Sequence, residues 1–515
     1  METRSAKKKR LSISQNKSHR SGGEDRISDL PDAILHHILF LLPIKSTAQT
    51  GVLSKRWRSI WTSLPDLDFT TITHFPNNNI VTTRKRVQSR LTKGMESMEF
   101  INHVLSRRGN HSDLRTLRFC AQFTFSRLNS LIRCAVRHRV RELDIEVATN
   151  DYFNFPRCIV TCDSLRVFKL KSRYPGFRLP PPCIMKKGFQ SLHTLSLSLV
   201  ILYDQSSLND LFTESSFPLL KKLNLDACFG LKHLKICCKG VEDLSVENCF
   251  QLNDLEVFCG KLERLRVASC FDVHGSDSWV KIDAPRLRIL VWEYNAITER
   301  CCLENLCSID EASVGFFVLH EEITAAKLLS VAGFLSGLCH AKSFTLESRC
   351  VEILSKNNHF TSTILLHPFN NLKTLELHTS LDKHNIPALA CLFQSSPTLH
   401  TLIIKIINDY KIERRRWNRE LWDLSSSGED RYWESQMQAL KSFLHHLKVV
   451  KIDGFSECEN DISLAKFLLK HGKVLQELTL SSRHHNARDS IRRERIKSQM
   501  MGFSRASSKA KIAFQ

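Results

Sequence analysis

The stretch LKKLNLDACFGLKHLKICCKGVEDLSVENCFQLNDLEVFCGKLERLRVASCF, residues 220–271, returns to the same pattern every 21 residues. Cys228-Phe229 recurs as Cys249-Phe250 and as Cys270-Phe271. Each pair follows an L-x-x-L-x-L pattern, at Leu220/Leu223/Leu225, Val241/Leu244/Val246 and Leu262/Leu265/Val267. Apolar residues two apart share one face of a strand, so the end of each pattern predicts a half-buried strand. A second pattern lies midway, at Leu231/Leu234/Ile236 and Leu252/Leu255/Val257. Each coil is therefore expected to hold two strands, one per face, instead of a strand and a helix. The cysteines fall where the coil turns inward, so they are expected to pack as small interior residues and not to react.

The pattern extends both ways from this stretch. It occurs upstream at Leu114/Leu117/Phe119, Val140/Leu143/Ile145, Leu165/Phe168/Leu170 and Leu192/Leu195/Leu197, and downstream at Leu287/Leu290/Trp292. It resumes at Leu372/Leu375/Leu377, Leu399/Leu402/Ile404, Leu447/Val450/Ile452 and Leu475/Leu478/Leu480. Within each run the middle residues stand 21 to 28 apart, save one interval of 48. Periods of about 20–29 residues with this motif mark a leucine-rich-repeat solenoid, expected over 66–407. Stacking would place Lys222, Asp243 and Arg264 in one outward row and Lys235 beside Glu256, with opposite charges ~4.8 Å apart. Residues 408–431 break the repeat with Arg414-Arg415-Arg416-Trp417 and a serine run, and are expected to form a charged loop insertion. Beyond it, Met437, Leu440, Phe443, Leu444 and Leu447 have helical spacing, a strand is expected at 449–452, and Leu464, Phe467 and Leu468 predict another helix.

Composition narrows the function classes. At 515 residues, 42% hydrophobic and 25% charged, the chain can bury more than one core. Its best membrane-span candidate, 328–341, is short and interrupted by glycines and His340, so no span and no membrane partner are expected. Eighteen cysteines follow a polar, basic start with no apolar signal region, which points to a reducing cytosolic or nuclear compartment. Cys158 and Cys162, and Cys301, Cys302 and Cys307, lack the paired spacing of a zinc site, so no metal is expected. The net charge of +21 is concentrated at the ends: residues 1–26 hold eight bases against three acids, and 483–515 nine against two. Residues 1–23 are expected to be a disordered basic tail, in which Lys7-Lys8-Lys9-Arg10 is a candidate nuclear-import patch. Around Trp417, Trp422 and Trp433 acids dilute the bases, so nucleic acid is not the expected partner. The histidine pairs His36-His37, His445-His446 and His484-His485 have no nucleophile or carboxylate at a telling spacing. There is no G-x-x-x-x-G-K-[ST] loop, G-x-S-x-G elbow or H-E-x-x-H motif, so neither catalytic activity nor a cofactor is expected.

From Asp29 the character is helical. Leu30, Ile34, Leu35, Ile38, Leu39 and Leu42 recur at three- and four-residue intervals, with Asp29 as the expected cap, Pro31 in the first turn and Pro43 at the end. Segments 46–53 and 54–61 follow, carrying Val52, Leu53, Trp57, Ile60 and Trp61. Three short helices are too small a unit to bury both faces alone, and an exposed apolar stripe implies a partner.

Glu24-Asp25-Arg26-Ile27-Ser28-Asp29-Leu30-Pro31-Asp32, Ile38-Leu39, Leu42-Pro43, and Leu53-Ser54-Lys55-Arg56-Trp57-Arg58 with Trp61 resemble the F-box of the plant F-box/leucine-rich-repeat family over 24–65. Tyr432-Trp433-Glu434, Leu447-Lys448-Val449-Val450-Lys451-Ile452, Phe467-Leu468-Leu469-Lys470 and Phe503-Ser504-Arg505-Ala506-Ser507 resemble the FBD region that ends many members, here 432–515 with its basic C-terminal tail. The resemblance implies an α+β solenoid architecture: an N-terminal three-helix F-box, then a leucine-rich-repeat solenoid with an FBD-like extension. It further implies a non-catalytic, substrate-recognition adaptor of a Skp-cullin-F-box ubiquitin ligase, in the nucleus, the cytoplasm or both, whose repeats bind a protein substrate. By that resemblance, Leu30, Pro31, Ile34, Leu35, Ile38, Leu39, Leu42, Leu53 and Trp57 would meet the Skp-type linker. The alternative is a ligase-independent protein-binding scaffold; a nucleic-acid binder ranks third.

Overall fold

The computed structural model describes residues 27, 29–72, 99–109, 112–122, 124–148, 153–154, 156–172, 177–178, 182–185, 188–202, 211–273, 277–318, 323–355, 368–407, 428–455, 459–481, 494 and 497–514. The basic tail at 1–23, with Lys7, Lys8, Lys9 and Arg10, lies outside them. So does the expected insertion up to residue 427; its end opens the helix Gly428–Ser435. The chain divides into two compact units, Met1–Ala121 with Arg137–Val140, and Gln122–Val136 with Arg141–Gln515.

The first unit begins with three helices, α1 (Asp32–Phe40), α2 (Ile44–Thr50) and α3 (Lys55–Thr62). Asp29 does not cap α1: the cap position is Pro31, at φ −60°, and no side chain caps it. The ring presets the helical turn, and the Pro31 carbonyl accepts from the amides of Ile34 (2.9 Å) and Leu35 (3.1 Å). Helix α2 starts at Ile44, two residues before the expected 46, because Pro43 serves it in the same way. It also stops at Thr50, which leaves Val52 and Leu53 in the turn. The Ser54 hydroxyl caps α3 by accepting from the Trp57 amide at 3.2 Å. Strand Asp66–Asp68 then pairs in parallel with Thr116–Gln122.

In the second unit one parallel sheet runs in strict chain order, from Glu142–Ala148 through Val167–Ser172, Thr194–Ser198, Lys222–Asp226, Asp243–Glu247, Arg264–Ala268 and Ile289–Ala296 to Lys511–Phe514. A second parallel sheet of Phe212–Thr213, His233–Cys237, Asp254–Phe258, Trp279–Asp283 and Arg300–Glu304 faces the other way round the coil. The 21-residue coils therefore carry two strands each, as their double pattern predicts. Leu223, Leu225, Leu244, Val246, Leu265 and Val267 from the first sheet, and Leu234, Ile236, Leu255 and Val257 from the second, are all buried. The outward rows also form: Asp243 binds Lys222 at 3.4 Å and Arg264 at 3.1 Å, and Lys235 binds Glu256 at 3.2 Å. Half-exposed pairs of this kind contribute about 0–1 kcal/mol each, so the apolar interior carries the stability.

Where the pattern lapses between Trp292 and Leu372, the sheet continues. Strands Glu311–Phe317 and Ser343–Leu346 turn Ala312, Val314, Phe344 and Leu346 inward. From Ala325–Gly337 onward helices replace the second sheet. That helix lies on Arg300–Glu304; at Gly337 a Cβ would meet the Leu303 Cβ at 2.6 Å, so only glycine permits the approach. Further helices follow at Ile386–Gln394, Lys441–His446 and Glu459–His471. Their interior is aromatic: Phe393 stacks on Phe443 with centroids 4.8 Å apart, and Trp433 on Phe467 at 5.7 Å.

The coils turn on left-handed residues: Ala227, Asn248, Ser269 and Tyr294 have φ of 49°, 55°, 54° and 54°. The next residue in each case points inward, giving Cys228, Cys249, Cys270 and, in the fourth coil, Asn295, all buried. Asn295 Oδ1 accepts from the amides of Cys270 (2.8 Å) and Phe271 (3.4 Å), and Nδ2 donates to the Val267 carbonyl at 2.9 Å. Replacing Asn295 with Ala orphans these buried groups. The expected loss is about 2–4 kcal/mol, with Asn295→Cys losing less because a thiol suits the three preceding coils. The urea midpoints of the two variants, compared with the parent chain, measure the difference.

Candidate functional site

The helical unit is held by a small closed core. Leu35 and Leu39 on α1, Ile44 on α2, and Ile60 and Trp61 on α3 are buried. Thr47 on α2 donates its hydroxyl to the Leu39 carbonyl at 3.0 Å and so ties α2 to the end of α1. Gly51 lies against the Trp61 indole, where a Cβ would come within 2.5 Å of Nε1. Arg56 reaches back from α3 to the Leu30 carbonyl (2.6 Å) and Asp32 Oδ1 (2.8 Å), which fixes the segment that enters α1. His36 Nε2 donates to the Ile60 carbonyl at 3.1 Å, so this histidine is a tie between helices.

With that core closed, the sequence-derived stripe divides. Leu35 and Leu39 lie inside and leave the exposed set, because they are the positions of α1 that face the other two helices. Leu30 and Trp57 are half-buried, while Pro31, Ile34, Ile38, Leu42 and Leu53 are exposed. Phe40, Leu41 and Val52 join them, although periodicity alone had not assigned them to the surface. Exposure reaches 71% at Leu41, 85% at Val52 and 70% at Leu53. Ile34, Ile38 and Leu41 follow the i, i+4, i+7 spacing of one helix face. The signal for Leu41 was present in that spacing; the exposure of Val52 follows only once α2 is seen to end at Thr50.

Thr47, Ser54, Arg56 and His36 serve backbone carbonyls, a cap and one ion pair, and the exposed face they leave combines apolar side chains with polar ones such as His37, Lys45 and Lys55. In the second unit the thiols of the coil interior are shielded, while Cys302 and Cys307 are exposed. Burial pushes Cys238 and Cys259 up to about 12, and the neighbouring Cys249 thiol together with burial pushes Cys228 and Cys270 up. Thiols held that high stay protonated at neutral pH, which disfavours Cys238 and Cys259 as nucleophiles. Among the described residues no group of three or more His, Cys, Asp and Glu is placed to hold a metal ion. No described helix is long and apolar enough to cross a membrane.

Two family descriptions match the chain. The F-box domain covers residues 27–68, and the At1g61320/AtMIF1 LRR domain covers 110–281 and 240–514. An F-box/FBD/LRR-repeat protein of Arabidopsis thaliana is 48% identical over 100% of both chains. F-box/LRR-repeat protein 25 of the same organism is 32% identical over 41% of this chain and 71% of its own. An FBD-associated F-box protein, also from Arabidopsis thaliana, is 24% identical over 90% of this chain and 88% of its own.

The divided stripe predicts opposite outcomes for two similar substitutions. Leu35→Ala opens a cavity and should lower the stability of the helical unit by about 2–5 kcal/mol. Leu53→Ala should change it by less than about 0.5 kcal/mol. Hydrogen-exchange protection of the amides in α1–α3 separates the two. For the thiols, iodoacetamide at pH 8 is expected to label the exposed Cys307 in the native chain and to reach Cys238 and Cys259 only after unfolding, as read by peptide mass.

Proposed function

This chain belongs to the F-box/leucine-rich-repeat family, and from that premise we propose that it is the substrate-recognition adaptor of a Skp-cullin-F-box ubiquitin ligase. Members of the family are generally non-catalytic adaptors of that kind. Here the F-box docks on the Skp-type linker and the repeats hold a protein substrate. The adaptor raises the local concentration of substrate lysines at a ligase carried by other subunits. It needs no catalytic group of its own.

One observation supports this reading above the others: the helical unit has filled its core and still presents Ile34, Ile38, Leu41, Leu42, Val52 and Leu53 to water. Burying a side chain of that size stabilises a complex by about 1.5–3 kcal/mol, which is strong selection for a neighbouring subunit. Pro31, beside the Leu30 carbonyl fixed by Arg56, extends the same proposed surface, with Trp57 at its margin. The basic run Lys7-Lys8-Lys9-Arg10 supports nuclear import of such an adaptor, in keeping with nuclear and cytoplasmic residence.

Incubating the full-length chain with a purified Skp-type linker tests the proposal. Binding is expected, and Ile38→Asp with Leu53→Asp should weaken it by more than about a hundredfold, because both place a charge in a desolvated contact. Leu30→Ala with Pro31→Ala should weaken it less while the circular dichroism of the chain is preserved. Undiminished binding by the aspartate variant sinks the assigned surface, and a parent chain that ignores the linker favours the ligase-independent scaffold.

A further inference from the structure

Five segments, 226–230, 247–251, 268–273, 293–298 and 315–318, lie along one edge of the long parallel sheet, at or just past the ends of successive strands. Two residues after the left-handed positions of the first four come Phe229, Phe250, Phe271 and Ala296, and Ala296 pairs in register with Phe317. Phe271 is buried against Trp292, with ring centroids 5.5 Å apart. Phe229, Phe250 and Phe317 are exposed, and Tyr294 at the turn itself is exposed too, with 60% of Phe250 and 67% of Tyr294 open to solvent. Phe229 and Phe250 stand on adjacent coils ~4.8 Å apart and Tyr294 and Phe317 on the fourth and fifth, so exposed rings flank the buried Phe271 on both sides, apolar surface that a folded chain seldom leaves in water without a use. Tyr294 also holds a bulky side chain at positive φ, a strained conformation of the sort that concentrates at binding sites.

Charge identifies the occupant. The five segments hold Asp226, Glu247, Asp272 and Glu293 and not one lysine or arginine, in a chain whose net charge is +21. Arg266, on the strand between, binds Glu247 and Glu293 at 3.2 Å each, which neutralises part of the row and leaves acid in excess. An anionic ligand such as nucleic acid would be repelled here. A guanidinium or ammonium group gains twice, over an aromatic face and against a carboxylate. We propose that this aromatic and acidic edge, lined by Phe229, Phe250, Tyr294, Glu247 and Glu293, docks an extended, arginine- and lysine-rich segment of a partner protein. The proposal rests on the adaptor reading in one respect, that the docked segment belongs to the substrate.

A labelled dodecapeptide alternating arginine and serine, titrated onto the full-length chain at low salt and followed by fluorescence anisotropy, is the probe. It should bind, and whatever hold the basic ends of the chain have on its counterpart alternating glutamate and serine should be unchanged in the variants below. Phe250→Ser with Tyr294→Asn should weaken binding about tenfold; asparagine is chosen because it tolerates the left-handed turn. Glu247→Gln with Glu293→Gln should weaken it by a similar factor. Both variants should keep the thermal midpoint of the parent. Parent-like affinity in either variant overturns the proposal. So does a change in oligomeric state by sedimentation, which would make the edge a contact between copies. A chain that recovers the Skp-type linker yet ignores the peptide overturns this site alone. One that holds the peptide and recovers no linker overturns the adaptor reading alone.

Discussion

The register of the parallel ladder governs the second unit. From Lys222–Asp226 to Ile289–Ala296 each strand pairs with its counterpart one coil away without slipping, so a side chain at a given position sits beside the same position of its neighbours; the register shifts once further on, between Trp292 and Asn295. Rows follow from that constraint. Inward rows become the leucine and valine interior, outward rows become alternating charges such as Lys222, Asp243 and Arg264, and the turn rows collect left-handed residues and cysteines. A one-residue slip would exchange inside for outside along the whole strand. The regular spacing of the sequence is the trace of this restriction.

The first unit obeys a different limit, that of size. Three helices of seven to nine residues enclose room for a few large side chains, and Leu35, Leu39, Ile44, Ile60 and Trp61 occupy it. The remaining apolar residues of α1 have nowhere to go within their own unit. Polar ties such as Thr47 to Leu39 and Arg56 to Leu30 keep the scaffold firm while its outer hydrocarbon stays available. Rigidity of that kind lowers the entropic cost of association, so a modest apolar area can still bind well.

The solenoid was legible because its signal is repeated; a single motif would be weak, but stacked leucines at fixed intervals leave little choice. Strands Glu311–Phe317 and Ser343–Leu346 escaped because alanine stands where leucine usually does, at Ala312 in Ile309/Ala312/Val314 and at Ala341 in Ala341/Phe344/Leu346, and the interior there is rebuilt around Phe316 and Phe334, 5.8 Å apart. Asn295 escaped for a related reason, since it shares a row with three cysteines and only the backbone register reveals the equivalence. In the helical unit periodicity found the stripe and could not divide it. Which half of a stripe is core depends on the crossing of the helices, and that information is held between segments. The cap of α1 was misassigned to Asp29 because sequence rules favour a side-chain acceptor, whereas Pro31 closes the turn by backbone geometry alone.

The cysteine column has a consequence for the life of the chain. Cys228, Cys249 and Cys270 are buried side by side in successive coils, each thiol donating to a backbone carbonyl: Cys228 to Leu197 at 3.6 Å, Cys249 to Glu247 at 3.3 Å and Cys270 to Val246 at 3.2 Å. Stacked Cα atoms at ~4.8 Å fall within the span that a disulfide can bridge. In the finished solenoid they are closed off from solvent. During synthesis, before the neighbouring coils close over them, the same thiols are open to mispairing. Vulnerability to oxidation is thereby moved from the working protein to the polypeptide still leaving the ribosome.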